Sequence, residues 1–183
     1  SAKVLPERGR FSIFNRSYYE EVLVTRVHPS YILGQRIPGV TELSQISDQF
    51  WAKRLKAIRD HEEHLADNGT LILKFFLNVS REEQKERFLK RIHRPDKNWK
   101  FNIGDLRERA RWDDYQYAYQ EAIRATATQH APWFAIPADN KWFMRAAVCD
   151  IIIGALEKLN LSYPEVGPED KINLQKGLEM LEN

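Results

Sequence analysis

The segment Thr70–Val79, TLILKFFLNV, constrains the fold most strongly, because it is almost wholly apolar and Lys74 is its one charged residue. Such a run is typical of a parallel β-strand that is covered on both faces. Ser80 follows it, and Glu83 stands three residues further on, which is the pattern of a capping box at a helix N-terminus. The sequence therefore predicts a strand that leads directly into a helix, and Pro95 ends that helix.

Similar patterns on both sides of this segment predict further strands and helices. The short apolar segments Phe11–Phe14 and Trp133–Ile136 are predicted strands. A helix is predicted over Tyr18–His28, with a strand as the alternative there, and a loop over Pro29–Val40. Further helices are predicted over Glu42–Ala66 and in the tail Glu169–Asn183. Two more predicted helices run from Leu106 to about Thr126, with Asp105 as the cap, and to Leu159, with Asp139 as the cap. The alternation of strands and helices implies an α/β fold with a mostly parallel sheet.

Polar residues follow each predicted strand. In parallel sheets, ligands bind beyond the carboxyl ends of the strands, so we expect Asn15-Arg16, Asn78–Ser80 and Asp139 to share one functional edge. Glu20 stands about one turn after the first strand, and polar groups with such a carboxylate suit a phosphate or a magnesium-bound water. Turn formation explains Asn-Arg-Ser equally well.

Charge is concentrated in one segment, Lys85–Arg111, which we call the basic hairpin. The whole chain has a net charge of only +2. The hairpin contains ten basic residues against four acidic ones, and the basic residues are Lys85, Arg87, Lys90, Arg91, Arg94, Lys97, Lys100, Arg107, Arg109 and Arg111. A local positive field on a nearly neutral chain suggests a bound polyanion.

The spacing within the basic hairpin sharpens this interpretation. Arg87, Arg91 and Arg94 share one helix face, a loop adds Lys97 and Lys100, and the next helix presents Arg107 and Arg111 at i, i+4. Two basic helix faces joined by a basic loop would surround phosphate groups from several sides, since arginine forks match phosphate oxygens. The alternative is a solvated helical hairpin.

Other features exclude several classes of protein. At 183 residues the chain fits one domain, and no apolar run approaches the roughly 20 residues of a membrane span. The single cysteine, Cys149, is predicted to be buried, and the absence of an internal disulfide fits the cytoplasm. His61 and His64, beside Glu62 and Glu63, lack metal-site spacing and are predicted to be solvated.

One aromatic stripe has two interpretations. Trp112, Tyr115 and Tyr119 lie at i, i+3 and i+7. A base-stacking platform is possible in principle, but a buried helix face explains the spacing better.

Taken together, several long segments resemble the polyphosphate kinase 2 family over about residues 3–165. The segments that carry the resemblance are LPERGRFSIFNRSYYEEVLVTRVHP, NGTLILKFFLNVSREEQKERFLKRIHRPDKNWKF, GDLRERARWDDYQYAYQEAI and APWFAIPADNKWF. The family resembles thymidylate kinase, so the resemblance implies a three-layer α/β/α, P-loop-kinase-like fold. It also implies phosphoryl transfer between inorganic polyphosphate and a nucleotide, with Mg²⁺.

The resemblance also assigns roles to residues. FSIFNRS corresponds to a Walker-B-like strand end, where one subgroup has Asp at the position of Asn15. The form found here resembles the subgroup that accepts nucleoside mono- or diphosphates (ADP, AMP, GDP or GMP). The implied catalytic residues are Asn15, Arg16 and Arg91, and the implied phosphate- or nucleotide-binding residues are Glu20, Arg87, Lys97, Lys100, Arg107 and Arg111; no residue is assigned as a metal ligand.

The resemblance further implies an organisation. It predicts a family domain over residues 1–165 with a helical lid at about 81–112, a tail over 166–183, and a cytoplasmic homo-oligomer, a dimer or tetramer, that binds neither membrane nor nucleic acid. The family's Walker A loop precedes the matched segments, and no G-x-x-x-x-G-K occurs here. Ser1–Lys3 would lie inside a helix. We therefore expect a truncated chain, corresponding to the carboxyl-terminal two-thirds of a kinase, with little phosphotransferase activity of its own.

Two other functions stay open at this point. One is a non-catalytic polyanion-binding module that keeps the lid without the phosphate-binding loop. The other is an RNA-binding protein that uses basic and aromatic residues, although the sequence contains no RNP, KH or zinc-knuckle pattern.

Overall fold

The structure, a computed structural model, describes residues 4–182. The expectation for Ser1–Lys3 lies outside the described residues. The chain divides into two compact units, one ending at Arg145 and the other beginning at Ala146. All candidate functional residues lie in the first unit, and each unit is described by itself below.

A parallel two-stranded sheet lies within the first unit and confirms the α/β class. Strand β1 covers Lys74–Asn78 and strand β2 covers Trp133–Pro137, and the two run in register from end to end. Phe11–Phe14 is not a strand, so this prediction is wrong. These residues are exposed and pair with neither strand of the described sheet, and without a partner an apolar segment has no ladder to join.

Eight α-helices surround or follow these strands within the described part of the chain. They are α1 (Val24–Val27), α2 (Ser30–Gly34), α3 (Asp48–Asp67), α4 (Arg81–His93), α5 (Ile103–Ala110), α6 (Trp112–Thr126), α7 (Lys141–Glu157) and α8 (Pro168–Glu182). Three 3₁₀ turns accompany them: the tyrosine turn (Tyr18–Glu21), a turn at Leu43–Gln45, and the hairpin turn (Pro95–Lys100). The basic hairpin, Lys85–Arg111, thus consists of most of α4, the hairpin turn, α5 and Arg111.

The start of α4 follows the sequence prediction, whereas two other predicted caps are wrong. The Ser80 hydroxyl accepts a hydrogen bond from the Glu83 N–H at 3.1 Å. The cap of α5 is Asn102, not Asp105, since the Asn102 side chain accepts from Gly104 N–H at 2.7 Å. At α7, Asn140 accepts the N–H groups of the first turn, and Asp139 points elsewhere. In each case a neighbouring asparagine takes the capping position.

Other boundaries also move. Tyr18–His28 contains the tyrosine turn followed by α1 instead of one helix, and the predicted loop Pro29–Val40 contains α2. The predicted helix from Glu42 begins only at Asp48. The tail does form a helix, α8, as predicted.

The core of the first unit joins α1, α3 and α6. Its buried residues include Val22, Ile32, Trp51, Leu55 and Ala122. Tyr115 and Tyr119 pack against this core, and the Tyr119 ring lies 4.7 Å from that of Phe76 on β1, centroid to centroid. The buried-face interpretation of the aromatic stripe is therefore confirmed for these two tyrosines.

The second unit contains the remainder of α7 and the whole of α8. Cys149 is exposed on α7, so the prediction of a buried thiol is wrong. The reason is that α7 has no buried residue, despite its apolar sequence. Among the helices within residues 4–182, none has the length and apolar character to cross a bilayer.

Candidate functional site

The carboxyl ends of β1 and β2 form a polar edge, as the sequence predicts. The Ala138 N–H donates to the Asn78 carbonyl at 2.9 Å. The Ser80 N–H donates to the Asp139 carboxylate at 2.7 Å, and this bond lowers the pKa of Asp139. Asp139 therefore links the start of α4 to the end of β2 and does not cap α7.

Arg87 fastens α4 to this edge. Its guanidinium donates to the carbonyls of Ala138 and Asp139, at 2.8 and 3.3 Å, and its Nε donates to Glu83 at 2.8 Å. The basic hairpin consequently begins directly at the carboxyl ends of the strands, where a parallel sheet holds its ligands. The predicted phosphate-binding role of Arg87 stays a prediction, and its present partners give it a scaffolding role.

The first candidate segment, Asn15 to Glu20, lies in exposed chain and the tyrosine turn. Arg16 and Glu20 form an exposed ion pair with an N–O distance of 3.5 Å. Asn15 makes no hydrogen bond to any residue within 4–182, so the structure does not join it to Asn78 or Asp139. Glu20 lies close enough to Tyr119 that, together with burial, its charge raises the pKa of that phenol.

Several basic residues of the hairpin have carboxylate partners, although the sequence places few acidic residues among them. Arg94 forms a two-pronged pair with Asp96 at 3.0 and 2.9 Å. Arg91 lies 3.4 Å from Asp105, and Arg111 lies 2.8 Å from Asp114, which is outside the hairpin. These pairs are largely exposed, and exposed pairs are weak. A phosphate chain can therefore displace the carboxylates at little cost.

Arg109 has a role that sequence spacing did not suggest. Its guanidinium donates to the Arg81 carbonyl at 2.7 Å and to the Gln84 side chain at 2.8 Å, so it ties α5 to α4. Arg107 on the same helix has no polar partner within the described residues. Lys100 lies over the ring of Trp99, 4.8 Å from its centroid. The hydrogen bond from Arg94 lowers the pKa of Asp96, and the charge of Lys97 acts in the same direction.

The basic hairpin has little apolar anchoring. Neither of its helices nor its turn contains a buried residue, and Trp99 at its tip is 79% exposed. Segments with so few buried contacts open at low free energy. The hairpin is therefore only weakly packed against the rest of the first unit.

A contact between α1 and α5 was also missed. Glu108 of α5 accepts hydrogen bonds from the Tyr115 hydroxyl at 2.6 Å and contacts His28 Nε2 at 2.8 Å. The two bonds lower the pKa of Glu108, with the larger effect from Tyr115. Glu108 and Tyr115 are seven residues apart, a spacing that a helical pattern can reveal. His28 is 80 residues from Glu108 and gives no local signal of this contact.

A second missed feature is a buried ion pair. Glu62 is 0% exposed and Lys74 7% exposed, and the Lys74 ammonium lies 2.6 Å from the Glu62 carboxylate. Glu62 sits on α3 in a stretch that reads as a solvated polar face, so that interpretation is wrong for this residue. The available signal was Lys74 itself, a charge in an otherwise apolar strand, which requires a buried partner.

The candidate residues near Glu20 fit Mg²⁺ only together with a bound phosphate ligand. Within residues 4–182, no three His, Cys, Asp or Glu side chains come together as a metal site. Mg²⁺ commonly uses one or two protein carboxylates and takes its other ligands from water and substrate phosphates. Glu20 is a half-buried carboxylate beside the segment that ends in Asn15-Arg16, so the donors present suit a phosphate-bound ion.

Comparisons with known proteins identify the relatives of this chain. The model of the family described as Polyphosphate kinase 2 matches residues 2–164. The chain is 49% identical over 164 residues to an ADP-polyphosphate phosphotransferase of Rhodopseudomonas palustris, covering 90% of this chain and 56% of the relative. It is 44% identical over 161 residues to an AMP/ADP-polyphosphate phosphotransferase of Meiothermus ruber, covering 88% and 55%.

A solved structure shows the same likeness in three dimensions. The crystal structure of Polyphosphate Kinase 2 from Arthrobacter aurescens aligns with a TM-score of 0.80 at 36% sequence identity, over 96% of this chain and 58% of that one. The predicted α/β, P-loop-kinase-like fold class is therefore confirmed. The chain spans a little over half the length of these relatives.

Proposed function

Because the chain belongs to the polyphosphate kinase 2 family, we propose that the protein transfers a phosphoryl group between inorganic polyphosphate and a nucleoside mono- or diphosphate. The observation that carries the proposal is the docking of the basic hairpin on the strand edge through Arg87. It sets a cationic cover beside the polar residues that follow the strands. Related proteins are named for phosphotransfer from polyphosphate to AMP or ADP, which supports these nucleotides as substrates.

Catalysis would depend on position and charge. The transferred phosphoryl group passes through a loose transition state with negative charge on its oxygens, so the protein needs donors aimed at those oxygens more than covalent chemistry. We assign this role to Arg91, whose pairing with Asp105 is long and exposed enough to exchange for a phosphate. Asn15 and Arg16 would hold the nucleotide's terminal phosphate from the opposite side.

The remaining hairpin cations would bind the polyphosphate chain. Arg107 is available for this, since no described carboxylate forms an ion pair with it. Lys97, Lys100 and Arg111 extend the positive surface along the hairpin, and Arg87 marks its base. Charge-assisted hydrogen bonds to phosphate contribute about 1.5–3 kcal/mol each.

Mg²⁺ would neutralise phosphate charge when it is bound. Asn15 and Glu20 are the residues of this chain that we propose to hold it, together with the substrate. Exchange of Glu20 from Arg16 to the ion would leave Arg16 free to donate to a phosphate. We also propose that the protein acts in the cytoplasm as a dimer or tetramer.

The test is a phosphotransfer assay with the full-length protein that contains this sequence. Polyphosphate and Mg²⁺ are supplied with AMP, ADP, GMP or GDP in turn, and the nucleotide products are separated by chromatography. We expect the diphosphate or triphosphate to form, and we expect Arg91→Ala to reduce kcat strongly. Polyphosphate binding without any transfer would identify the protein as a polyanion-binding module. RNA binding that excludes polyphosphate would contradict both the kinase and the polyanion-binding hypotheses.

A further inference from the structure

The carboxylate of Glu62 joins two tyrosines to the buried lysine. Its Oε1 accepts hydrogen bonds from the hydroxyls of Tyr18 and Tyr19, at 2.8 and 2.9 Å, and its Oε2 contacts Lys74 at 2.6 Å. Both tyrosines belong to the tyrosine turn, while Glu62 lies 43 residues further along the chain on α3. One carboxylate therefore ties this short turn to α3 and β1.

Lys74 completes the network from the sheet side. Its ammonium donates to Glu62, to the Tyr19 hydroxyl at 3.1 Å and to the Thr126 carbonyl at 2.8 Å, so each of its three protons has an acceptor. It also lies over the rings of Tyr19 and Trp133, at 5.4 and 5.3 Å from their centroids. Burial lowers the pKa of Lys74, and the bond and charge of Glu62 oppose that change.

Stability alone does not explain such a network. Removing two charges from water costs about as much as their attraction returns, and well-packed apolar residues are often as stabilising as a buried ion pair. What directed, fully satisfied hydrogen bonds add is a single geometry. The geometry fixed here is that of the tyrosine turn.

The candidate residues depend on this turn for their placement. Every residue from Glu7 to Arg16 is exposed, so packing does not hold that segment against the sheet. Asn15 and Arg16 immediately precede the turn, and Glu20 lies within it between the anchored tyrosine pair and Glu21. The position of all three is therefore transmitted through Tyr18 and Tyr19.

We propose that Glu62 and Lys74 are positioning residues for phosphoryl transfer. They act through Tyr18 and Tyr19 to set the place of Asn15, Arg16 and Glu20, and they do not touch the substrates themselves. This inference rests on the function proposed above. A displacement of about 1 Å at a reacting group can lower a rate about 100-fold, so anchors outside the site can control its chemistry.

The main test uses Tyr18→Phe/Tyr19→Phe in the full-length protein, because this variant keeps the ion pair and the ring packing. We expect kcat to fall about 10- to 100-fold. The affinity for polyphosphate should stay within about twofold, since the basic hairpin does not contact the tyrosine turn through any described bond. Tyr117→Phe, which removes a hydroxyl elsewhere in the first unit, is the matched control and should keep the wild-type kcat.

A second variant, Glu62→Leu/Lys74→Met, removes both charges together. Replacing the pair with apolar residues should preserve folding, and we expect the same selective loss of kcat. Amide hydrogen exchange supplies a readout without catalysis: protection of Tyr18–Glu21 should fall in both variants, while that of α4 and α5 stays unchanged.

The outcomes separate the two proposals. If the wild-type protein transfers no phosphoryl group, the proposed function fails, whatever the exchange data show. If the wild-type protein is active and either folded variant keeps both the wild-type kcat and the wild-type protection of Tyr18–Glu21, the positioning role is wrong and the network serves stability alone.

Discussion

Arg107 and Arg109 lie two positions apart on α5 and differ in what holds them. Arg109 donates to Arg81 and Gln84 of α4, whereas Arg107 has no polar partner within residues 4–182. A basic residue that has no internal partner can bind a ligand without first breaking an ion pair. We therefore propose that Arg107 binds ligand, whereas Arg109 supports the structure of the same helix.

We expect Arg107→Ala to weaken polyphosphate binding about 10- to 100-fold, which corresponds to the loss of one charge-assisted bond. Its thermal midpoint should stay close to that of the wild type. Titration of a polyphosphate of defined length, followed by calorimetry, measures both quantities.

Arg109→Ala is the matched control for this variant. It should lower the protection of α5 against hydrogen exchange even without ligand, because it frees α5 from α4. Equal polyphosphate binding by the wild type and Arg107→Ala would mean that Arg107 is only part of a solvated helical surface. That is the alternative that the sequence left open.

Glu108 predicts a pH dependence of the contact that holds α5. Its pKa is lowered by the bonds from Tyr115 and His28, so this stabilisation is complete above the ordinary carboxyl pKa and is lost as the pH falls through the lowered value. In Tyr115→Phe the larger cause is removed, and the loss should begin at a higher pH. Carboxyl NMR titration of Glu108 measures the midpoint directly.

The Glu108→Gln variant provides the control, since an amide does not titrate. Exchange protection of α5 in this variant should not follow the acid transition seen in the wild type. The same midpoint in Tyr115→Phe and the wild type would contradict the assignment of that hydroxyl as the main cause.

At the scale of elements, the basic hairpin and β1 differ in how they are held. The hairpin has no buried residue, while β1 pairs along its whole length with β2 and contains buried Lys74. Cationic faces that repel one another should tighten when a polyanion neutralises them. Such closure excludes water from the transferred group.

We therefore expect polyphosphate to increase the hydrogen-exchange protection of residues 95–104, whereas β1 changes little. The comparison uses the full-length protein with and without polyphosphate at one pH and temperature. Equal protection of residues 95–104 in both states would mean that the hairpin is a preformed rigid site, and its role as a lid would then be wrong.

The elements that sequence analysis predicted best are those with local signals. Ser80 and Glu83 mark the start of α4, Pro95 marks its end, and the apolar run identifies β1. The failures have equally physical causes. Phe11–Phe14 has the composition of a strand but pairs with neither strand of the described sheet. The caps of α5 and α7 are Asn102 and Asn140 instead of the predicted aspartates.

At the scale of the whole molecule, charge is distributed very unevenly. A net charge of +2 produces little general attraction for anions, so the polyphosphate binding that we propose should depend on the basic hairpin. Exposed charges are screened within about 8 Å at physiological ionic strength. The hairpin pairs are mostly exposed, and its field is therefore open to screening.

We expect the affinity for polyphosphate to fall steeply between low and high sodium chloride, while the thermal midpoint without ligand changes little. Binding isotherms and melting curves over one salt series give both values. A salt-independent affinity would require a binding mode dominated by apolar or neutral contacts, and it would contradict the charge-based role of the hairpin.

Sequence analysis predicted the polar residues at the ends of β1 and β2 and the start of the basic hairpin. The structure does not join Asn15 to that edge, and sequence patterns did not indicate the contacts between distant segments. Glu62 reads as part of a polar helix face, and nothing near it in the chain indicates Lys74 or the two tyrosines. His28 and Glu108 are similarly remote. Periodicity and capping depend on neighbours in sequence, whereas these pairs arise only when the chain has folded.

The buried pair of Glu62 and Lys74 has a consequence for how such proteins diverge. Changing either residue alone leaves a charge without a partner inside the protein, which costs about 3–5 kcal/mol, a large part of the stability of a typical domain. Lineages should therefore either retain both residues or replace both, with few intermediates. Among homologous sequences, the two positions should covary across a gap of only twelve residues, and a descendant that has lost one partner should have altered the tyrosines as well.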